Sequence, residues 1–494
     1  MSEIYSDERK DKNKSSIFAD FLKKKCANST AHALSHAFSD EMIGIRIFWG
    51  FLFLAGISIT ICVIYLTISS YYKYDFSIKL SIQEKYFDDF PAVSFCNLNA
   101  FDKSDPLIIE YFNAILSRNN FSEKIKPTKE SPAIYQVQQQ IKLLYANLLD
   151  DLVKFRTSLN MEYSFEDLVI SCYYNGQICG SQDFESFYNY DYSKCFTFNK
   201  KQNETTKVKK TSRTGPGSGL MLELFIGLAG IEDTFIEKRG IYLAVHNNSV
   251  NPVVNHEGMK LSVGNLAEIG IKRTFYQKLP EPYNKCRKDT SSYSDDDSEY
   301  YKRTVRSGVY SKKKCFEFCL QVEFIYPECN CNDPQITSLE WNQTFCKSNL
   351  ELHCVDRVRN MFDSGDLSKL CSDNCPTSCD TLEYATEVSY SDYPSEYYYS
   401  IIKDQPNVIE KFENISNITF DKFKKSTLMV NVFYQDITST FVQESPLINV
   451  EDLFSSIGGF LGLFLGCSVL TLFEPVVFLI LVVAKLIENK KFKK

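Results

Sequence analysis

Two apolar regions, separated by nearly 380 residues, constrain the fold of this 494-residue chain more than any other feature. Ile47–Ile68 is 22 residues long and uncharged, about 33 Å as a helix and enough to cross a bilayer. The second region, residues 449–484, contains an uncharged run, Ile457–Phe473, followed by Glu474. A charge inside such a segment usually faces a bundle interior or water. We predict two membrane spans joined by one large loop.

The cysteines and charges orient this loop. Of the 17 cysteines, 14 lie in it, an even number typical of disulfides in an oxidising compartment. The C-terminal tail has five Lys and one Glu, which follows the positive-inside tendency. We therefore predict a plasma-membrane protein with an extracellular loop and two cytosolic termini. Six loop asparagines lie in N-x-[ST] sequons and are glycosylation candidates: Asn120, Asn203, Asn247, Asn342, Asn414 and Asn417.

Small and polar residues recur at helical spacing in the second apolar region. Steps of three and four residues place them on one helix face, the small-residue stripe. Its members are Asp452, Ser455, Gly459, Gly462 and Gly466. Such a bare face suits either close helix packing or the wall of a narrow aqueous path.

Local patterns also predict elements within the loop. Helical spacing predicts helices at Ile108–Ile115, at Ile134–Asp151 and around Leu352–Met361. Partial apolar/polar alternation predicts a strand at Thr427–Tyr434 that returns toward the membrane.

No enzyme motif occurs in the sequence: it has no G-x-S-x-G elbow, phosphate-binding glycine loop or metalloprotease helix. The spacings of Cys315 with Cys319 and of Cys329 with Cys331 are compatible with zinc, but an extracellular setting favours disulfides. Spacing alone leaves their connectivity open. The net charge of −7 gives no indication of nucleic-acid binding. We predict a protein that is not an enzyme and holds no cofactor or metal.

Four motifs, in order, resemble landmarks of the degenerin/epithelial sodium channel/acid-sensing ion channel family. They are FPAVSFCNLNAF, SCYYNGQICGSQDFESFYNYDYSKCFTFN, YSKKKCFEFCLQ…CNC and SSIGGFLGLFLGCSVLTLFE. With the cysteine pattern, the resemblance covers nearly the whole chain. It implies a trimer with a hand-like ectodomain of palm, finger, thumb, knuckle and β-ball above a sodium-selective pore. The predicted fold class is an α+β membrane protein with two transmembrane helices and a large disulfide-rich extracellular domain.

Five regions follow from the resemblance and the apolar segments. Residues 1–46 form a cytosolic segment, 47–70 the first transmembrane helix, and 71–448 the extracellular domain, with a thumb at about 286–385. Residues 449–484 form the second transmembrane helix and pore, and residues 485–494 a cytosolic tail.

The resemblance implies seven disulfides, carried over from the family pattern. They are Cys96–Cys195, Cys172–Cys179, Cys286–Cys379, Cys315–Cys375, Cys319–Cys371, Cys329–Cys354 and Cys331–Cys346. The last five are nested, as a ladder along two antiparallel helices would require.

The resemblance also assigns roles in the pore. The selectivity filter falls on Gly466, Cys467 and Ser468, where three copies would form a ring of carbonyls and small side chains. The other pore and gate positions, from the outer mouth to the inner end, are Glu451, Asp452, Ser455, Gly459, Gly462 and Glu474. We expect sodium to be the permeant ion. The acidic mouth of the pore is a candidate binding site for calcium.

The length of the second span predicts an irregularity at the filter. Residues 457–484 number 28, about 42 Å as one helix, whereas a bilayer core is about 30 Å thick. We expect either a tilt or a break that leaves two half-helices.

The chain departs from the family pattern at two places. The cytosolic His-Gly motif appears as His32-Ala33, and alanine tolerates positive φ less well than glycine. We expect either a different loop shape or dependence on partner subunits that carry glycine. At the wrist, Tyr283 stands near the position of a family Trp, and we predict that it couples the thumb to Tyr71 or Tyr72.

The predicted function is a subunit of an amiloride-sensitive, sodium-permeable channel, in a homo- or heterotrimer with homologous subunits. The composition, the FADFLKKK segment and the acidic thumb loop resemble cnidarian (Hydra-type) peptide-gated members. An RFamide-type neuropeptide is therefore the expected ligand, since an acidic exterior suits a basic amidated peptide. Proton, constitutive or mechanical gating are alternatives within the family. A two-span adhesion or scavenger receptor is a distant alternative, in which Gly462-x3-Gly466 is a helix-dimer contact.

Overall fold

The computed structural model describes most of the loop and both apolar regions. The described residues are 32–39, 42–103, 106–119, 132–155, 161–201, 206–230, 233–254, 256–336, 344–365, 368–412, 418–466, 468, 471, 473, 476, 477, 479 and 480. They form two compact units: unit 1 comprises residues 1–78 and 444–494, and unit 2 comprises residues 79–443.

Fourteen helices are defined within the described residues. They are α1 (His32–Ser39), α2 (Ile43–Tyr71), α3 (Pro106–Arg118), α4 (Ala133–Phe155), α5 (Phe165–Leu168), α6 (Glu299–Arg306), α7 (Lys312–Cys319), α8 (Tyr326–Cys329), α9 (Asn349–Asp363), α10 (Ser368–Asn374), α11 (Glu396–Ile402), α12 (Pro406–Lys411), α13 (Phe420–Ser426) and α14 (Val450–Leu465). A π-helical turn, Leu320–Ile325, connects α7 and α8.

Sixteen strands are defined within the same residues. They are β1 (Phe76–Glu84), β2 (Asp88–Asp89), β3 (Ala92–Asn97), β4 (Val169–Tyr174), β5 (Gln177–Ile178), β6 (Phe184–Asn189), β7 (Ser193–Phe198), β8 (Lys210–Thr211), β9 (Leu220–Phe225), β10 (Ile241–His246), β11 (Met259–Leu261), β12 (Asn265–Gln277), β13 (Cys286–Arg287), β14 (Thr377–Ser378), β15 (Asp380–Asp392) and β16 (Thr427–Pro446).

Unit 1 is built from α1, α2 and α14. Helix α2 is 29 residues long, and within the described part of the chain it is the one helix whose length and composition suit a membrane crossing. It extends beyond the predicted first span, residues 47–70, at both ends. Helix α14 has 16 residues, so the second apolar region does not form one long helix over its described residues.

The larger sheet forms the centre of unit 2. Its strand order is β15-β12-β16-β9-β4-β5, and β1 also pairs with β16. Strands β12 and β16 are parallel, whereas β12 pairs with β15 in antiparallel fashion along its whole length. Fully buried apolar residues such as Leu222, Ile269 and Val430 form the core of this sheet, as strand alternation requires.

A second sheet of five strands has the order β11-β10-β3-β7-β6. Cys96 and Cys195 lie directly opposite each other on β3 and β7, so their disulfide joins neighbouring strands.

The cysteine pairs of the structure are those that the family resemblance implies. The seven disulfides are Cys96–Cys195, Cys172–Cys179, Cys286–Cys379, Cys315–Cys375, Cys319–Cys371, Cys329–Cys354 and Cys331–Cys346. The last five form a nested ladder whose sequence separations fall from 93 to 15 residues. Two of them join α7 to α10 and to the residue after it, and one joins α8 to α9. Cys315, Cys319 and Cys371 are fully buried.

A buried ion pair joins three strands of unit 2. Arg273 of β12 and Asp88 of β2 are only 5% and 6% exposed, and they form a salt bridge. Ser439 of β16 accepts a hydrogen bond from Arg273 Nη2 at 2.9 Å and donates one to Asp88 Oδ2 at 3.3 Å. The guanidinium also lies 4.8 Å from the centre of the Phe275 ring. Each buried charge is therefore paired.

Removing the arginine should destabilise unit 2 strongly. In Arg273→Met, Asp88 loses its buried counter-charge and keeps only the half-exposed Lys85, whose Nζ lies 3.7 Å from Asp88 Oδ1. We expect a loss at the lower end of about 3–5 kcal/mol. Thermal unfolding of the purified full chain in detergent would show the lower Tm.

The neighbouring Lys272→Met is the matched control. The ion pair of Lys272 with Glu387 is exposed on both sides, so its loss should change stability by less than about 1 kcal/mol. Equal Tm changes in the two variants would contradict the importance of the buried pair.

Candidate pore site

Helix α14 begins with a reciprocal cap at its acidic end. Asn449 Oδ1 accepts a hydrogen bond from the backbone N–H of Asp452 at 2.8 Å. The backbone N–H of Asn449 in turn donates to Asp452 Oδ2 at 3.4 Å. Glu451 and Asp452 lie in the first turn, where the helix dipole favours carboxylates. Both side chains are exposed, so the two predicted mouth residues lie together at the start of the helix.

The same helix ends at the predicted filter. Gly466 has a φ of 65°, in the left-handed region, and its N–H donates to the carbonyl oxygen of Gly462 at 3.0 Å. This is a left-handed C-cap, which glycine adopts without steric strain. The second apolar region is therefore broken at Gly466, one of the two forms that its length predicts.

A second cap follows the break. The backbone N–H of Ser468 donates to Thr471 Oγ1 at 3.1 Å, and the backbone N–H of Thr471 donates to Ser468 Oγ at 3.4 Å. The described residues from Thr471 onward are helical. Gly466 and Ser468 thus lie between two helical segments with capped ends. Cys467 and Glu474 lie outside the described residues.

The small-residue stripe is exposed in the single chain. Asp452, Ser455, Gly459, Gly462 and Gly466 are all exposed. The half-buried residues of α14 lie on another face. They are Leu453, Ser456, Ile457, Phe460, Leu461 and Leu465. The stripe is therefore not the surface that α14 uses to pack within its own chain.

The packing partner of that other face is α2. Gly56 of α2 is buried, and a Cβ at this position would lie 3.0 Å from the carbonyl oxygen of Phe464 and 3.5 Å from Leu465 Cδ2. One turn later, Thr60 is buried and donates to the carbonyl oxygen of Gly56 at 2.8 Å. Small residues of this kind allow close backbone approach between apolar helices. The contact lies beside the last turn of α14, next to the break.

The His32-Ala33 motif is helical in the structure. His32 and Ala33 are the first residues of α1, and their side chains lie outside the described parts. A helical backbone explains why alanine fits here, because it has the highest helix propensity and needs no positive φ. His36, on the next turn, stacks on Trp49 of α2 with ring centres 4.9 Å apart.

The predicted wrist residues lie in different units. Tyr71 and Tyr72 end α2 and form an aromatic cluster with Tyr74, with ring centres 5.5–6.2 Å apart. Tyr283 belongs to a turn of unit 2 in which its N–H donates to the carbonyl oxygen of Pro280 at 3.1 Å. Coupling between these tyrosines stays a prediction.

One glycosylation candidate, Asn247, lies among the described residues. It follows β10 and is half-buried, and its Oδ1 accepts the N–H of Ser249 at 3.0 Å. The other five candidates, Asn120, Asn203, Asn342, Asn414 and Asn417, lie outside the described residues, as does the tail 485–494.

A charged network between α7 and α9 has no counterpart in the sequence-based predictions. Glu317 of α7 pairs with His256 and with Arg359 of α9, and Arg359 also pairs with Asp333 at 2.6 Å. Burial opposes ionisation of Glu317, but the hydrogen bond from His256 and the charge of Arg359 outweigh it and hold the pKa of Glu317 below its usual value. The same hydrogen bond raises the pKa of His256. Because the partners are far apart in sequence, no local pattern indicates this network.

A cavity of about 460 Å³ lies between α4 and α9. Its lining residues are Tyr135, His353, Asp356, Arg357, Asn360, Met361 and Ser364. At its inner side, Asp356 forms an ion pair with Lys142 at 2.7 Å and accepts a hydrogen bond from Gln139 at 2.8 Å. Among the described residues, no group of three or more His, Cys, Asp or Glu could hold a metal ion.

An apolar helix, a second apolar region with a capped break and a disulfide-rich α/β unit together define a membrane protein with a large disulfide-bonded domain. The family model described as amiloride-sensitive sodium channel matches residues 25–478. The chain belongs to this family, whose members are ion channels rather than enzymes.

Individual relatives agree with this assignment. The gamma subunit of the epithelial sodium channel from Bos taurus is 26% identical over 356 residues, which cover 70% of this chain and 50% of that protein. Acid-sensing ion channel 1 from Gallus gallus is 25% identical over 470 residues, which cover 91% of this chain and 81% of that protein. The chain spans about half the length of the gamma subunits that it matches. A solved proton-activated chloride channel aligns with a TM-score of 0.33 and 7% identity over 87% of this chain and 96% of that chain, too low to carry an argument.

A side chain at Gly56 should disrupt unit 1. In Gly56→Val, the new side chain meets the backbone of Phe464, so we expect weaker packing of α2 on α14 and a loss of about 1–3 kcal/mol. Gly50→Val is the matched control on the same helix, because no atom lies within 4 Å of a Cβ there. Thermal unfolding of the full chain in detergent would compare them. A Tm for Gly56→Val that equals that of Gly50→Val would rule out the close contact.

Proposed function

We propose that this chain is a subunit of a trimeric, sodium-permeable, amiloride-sensitive cation channel of the plasma membrane, with two membrane spans and cytosolic termini. Membership of the amiloride-sensitive sodium channel family supports this proposal. The main supporting observation is the capped break at Gly466–Ser468. It lies at the end of the exposed small-residue stripe of α14.

The break suits a cation for electrostatic reasons. The last carbonyls of a helix lack intrahelical partners, and the C-terminal end of the helix dipole is negative. In a trimer, three copies of α14 would direct these ends toward one axis. Small residues at 466–468 would let the carbonyls approach a partly dehydrated sodium ion. Glu451 and Asp452 at the other end of the helix would concentrate cations, and calcium among them, at the outer mouth.

An extracellular RFamide-type peptide is the proposed stimulus. The acidic exterior suits a basic amidated peptide. At the thumb, Glu317 and Asp333 are paired with His256 and Arg359 rather than with other carboxyls. Because these partners hold the pKa of Glu317 low, mild acid leaves that contact charged. This favours a ligand other than the proton for movement of the thumb.

Gating by protons is the second candidate. The observation that favours it is Asp191, which accepts a hydrogen bond from Gln335 at 3.0 Å. Burial, and to a smaller extent the neighbouring Asp333, raise its pKa. A carboxyl of this kind takes up a proton at a higher pH than an exposed one.

Voltage-clamp recording in oocytes should separate these candidates. We expect an amidated RFamide peptide to evoke an inward sodium current that amiloride blocks, from the chain alone or with homologous subunits. Acid alone should evoke little current. Substituting Ser455 by a bulky residue should open a constitutive sodium leak, because this gate position lies on the exposed stripe. The absence of any current with peptide or acid, and of a leak in the Ser455 variant, would refute the channel proposal.

The filter assignment is tested separately from gating. Ser468→Ala removes a hydroxyl that takes part in the cap after the break, so we expect a changed sodium-to-potassium permeability ratio with unchanged surface expression. Ser456→Ala, on the half-buried face of α14, is the matched control and should leave the ratio as it is. Unchanged ratios in both variants would place the filter elsewhere.

A further inference from the structure

Glu223 is a buried carboxyl that the proposed pore and thumb do not use. It lies on β9, at the centre of the larger sheet of unit 2, and is only 1% exposed. Within the described part of the chain, its hydrogen-bond partners are all hydroxyl groups: those of Ser171, Tyr393 and Tyr398. A buried carboxylate without a cationic partner is costly, and hydrogen bonds from hydroxyls offset only part of this cost.

Two different parts of the fold supply these hydroxyls. A register shift between Val169 and Ser171 places Ser171 of β4 opposite Glu223, and Ser171 Oγ donates to Glu223 Oε2 at 2.9 Å. Tyr393 and Tyr398 belong to the 393–402 segment, which follows β15 and contains α11. Tyr398 donates to Glu223 Oε2 at 3.2 Å, and Tyr393 donates to Oε1.

Backbone hydrogen bonds of the 393–402 segment position Tyr393 and Tyr398 beside Glu223. The N–H of Tyr393 donates to the carbonyl oxygen of Gly264 at 3.1 Å. Ser395 caps α11 by accepting the N–H of Tyr398 at 3.2 Å, which fixes Tyr398 in the first turn. The carboxyl of Glu223 is thus the polar attachment of this segment to β9 and β4, beside an apolar one in which Ile402 packs in one cluster with Ile170 and Phe225.

Among the described residues, the titratable groups that interact with Glu223 are the two tyrosines, Tyr393 and Tyr398. The 393–402 segment contributes Tyr393 and Tyr398, β4 contributes Ser171 and Tyr173, and β16 places Met429 opposite Glu223. Burial and the charge of Glu223 raise the pKa of Tyr393 and Tyr398, so both tyrosines keep their protons at physiological pH. Glu223 is therefore the one group among these whose charge a proton removes.

Burial of Glu223 determines whether acid strengthens or weakens the junction. Burial raises the pKa of Glu223 above its ordinary value of 4.5, although the three hydroxyls act in the opposite direction. A folded state with the higher pKa binds the proton more tightly than the opened state. The stabilising contribution is therefore fully present below pH 4.5 and is lost as the pH rises through the raised value.

We propose that Glu223 is an acid-responsive latch, which fastens the 393–402 segment to β4 and β9 more tightly when the surrounding solution is acidified. The latch lies wholly within unit 2 and does not depend on ion conduction. It would make the response to any extracellular stimulus that moves this segment sensitive to pH.

Hydrogen–deuterium exchange on the full chain in detergent tests the latch directly. After correction for intrinsic exchange, protection of the 393–402 amides should increase as the pH falls from about 7.5 to about 4.5, by at most about tenfold per pH unit for one proton. Glu223→Gln should abolish this increase and keep the protection high at both pH values.

Two further variants make the result decisive. Tyr398→Phe removes a donor to the charged carboxylate, so it should lower protection more at about pH 7.5 than at about pH 4.5 and make the pH dependence steeper. Glu383→Gln, an exposed carboxyl on β15, should leave the wild-type dependence unchanged. The same pH dependence in Glu223→Gln as in wild type overturns the proposal. If Glu223→Gln does not fold, Tyr398→Phe decides: a steeper dependence supports the latch and an unchanged one overturns it.

Discussion

The left-handed cap at Gly466 is the constraint on which the rest of the pore region depends. Helix ends expose unpaired backbone groups, and such groups are tolerated at membrane depth only where protein or a water-filled cavity surrounds them. Here Gly466 caps the preceding helix, and Ser468 and Thr471 cap the following one. The close approach of α2 at Gly56 supports the last turn before the break. A conformation that only glycine adopts easily thus fixes the point at which the helix of the second apolar region ends.

Unit 2 is held by covalent bonds and a buried ion pair in addition to its apolar cores. Five disulfides link residues between Cys286 and Cys379. Arg273 of the larger sheet and Asp88 of β2 join strands that begin far apart in the chain. Both devices hold unit 2 in one arrangement, because a broken disulfide or an orphaned buried charge costs several kcal/mol, about 2–5 in each case. The junction at Glu223 is the exception, since its carboxyl is held by hydroxyls alone and its strength therefore depends on pH.

Local sequence patterns predicted helices and strands correctly where the periodicity of the apolar residues was regular. The helix predicted at Ile134–Asp151 is confirmed as α4, Ala133–Phe155, since its apolar spacing is regular. The strand predicted at Thr427–Tyr434 is only the first part of β16, which continues to Pro446. Its second half has weak alternation and is held by pairing with β12, a non-local interaction. For the same reason, no pattern indicated the ion pair between Lys142 and Asp356, which lie 214 residues apart. The stripe and the break could be read from spacing and length, but the roles of the filter residues came from the family resemblance.

The central claim is that the small-residue stripe of α14 lines an ion path that narrows at Gly466. Cysteine substitution at Ser455, Gly459 and Gly462, with Phe454 as the control on another exposed face of the helix, tests it most directly. A charged methanethiosulfonate reagent applied from outside to open channels should block the current at the three stripe positions and leave the Phe454 variant conducting. Block at Phe454, with none at the stripe, would show that the ion path runs along another face.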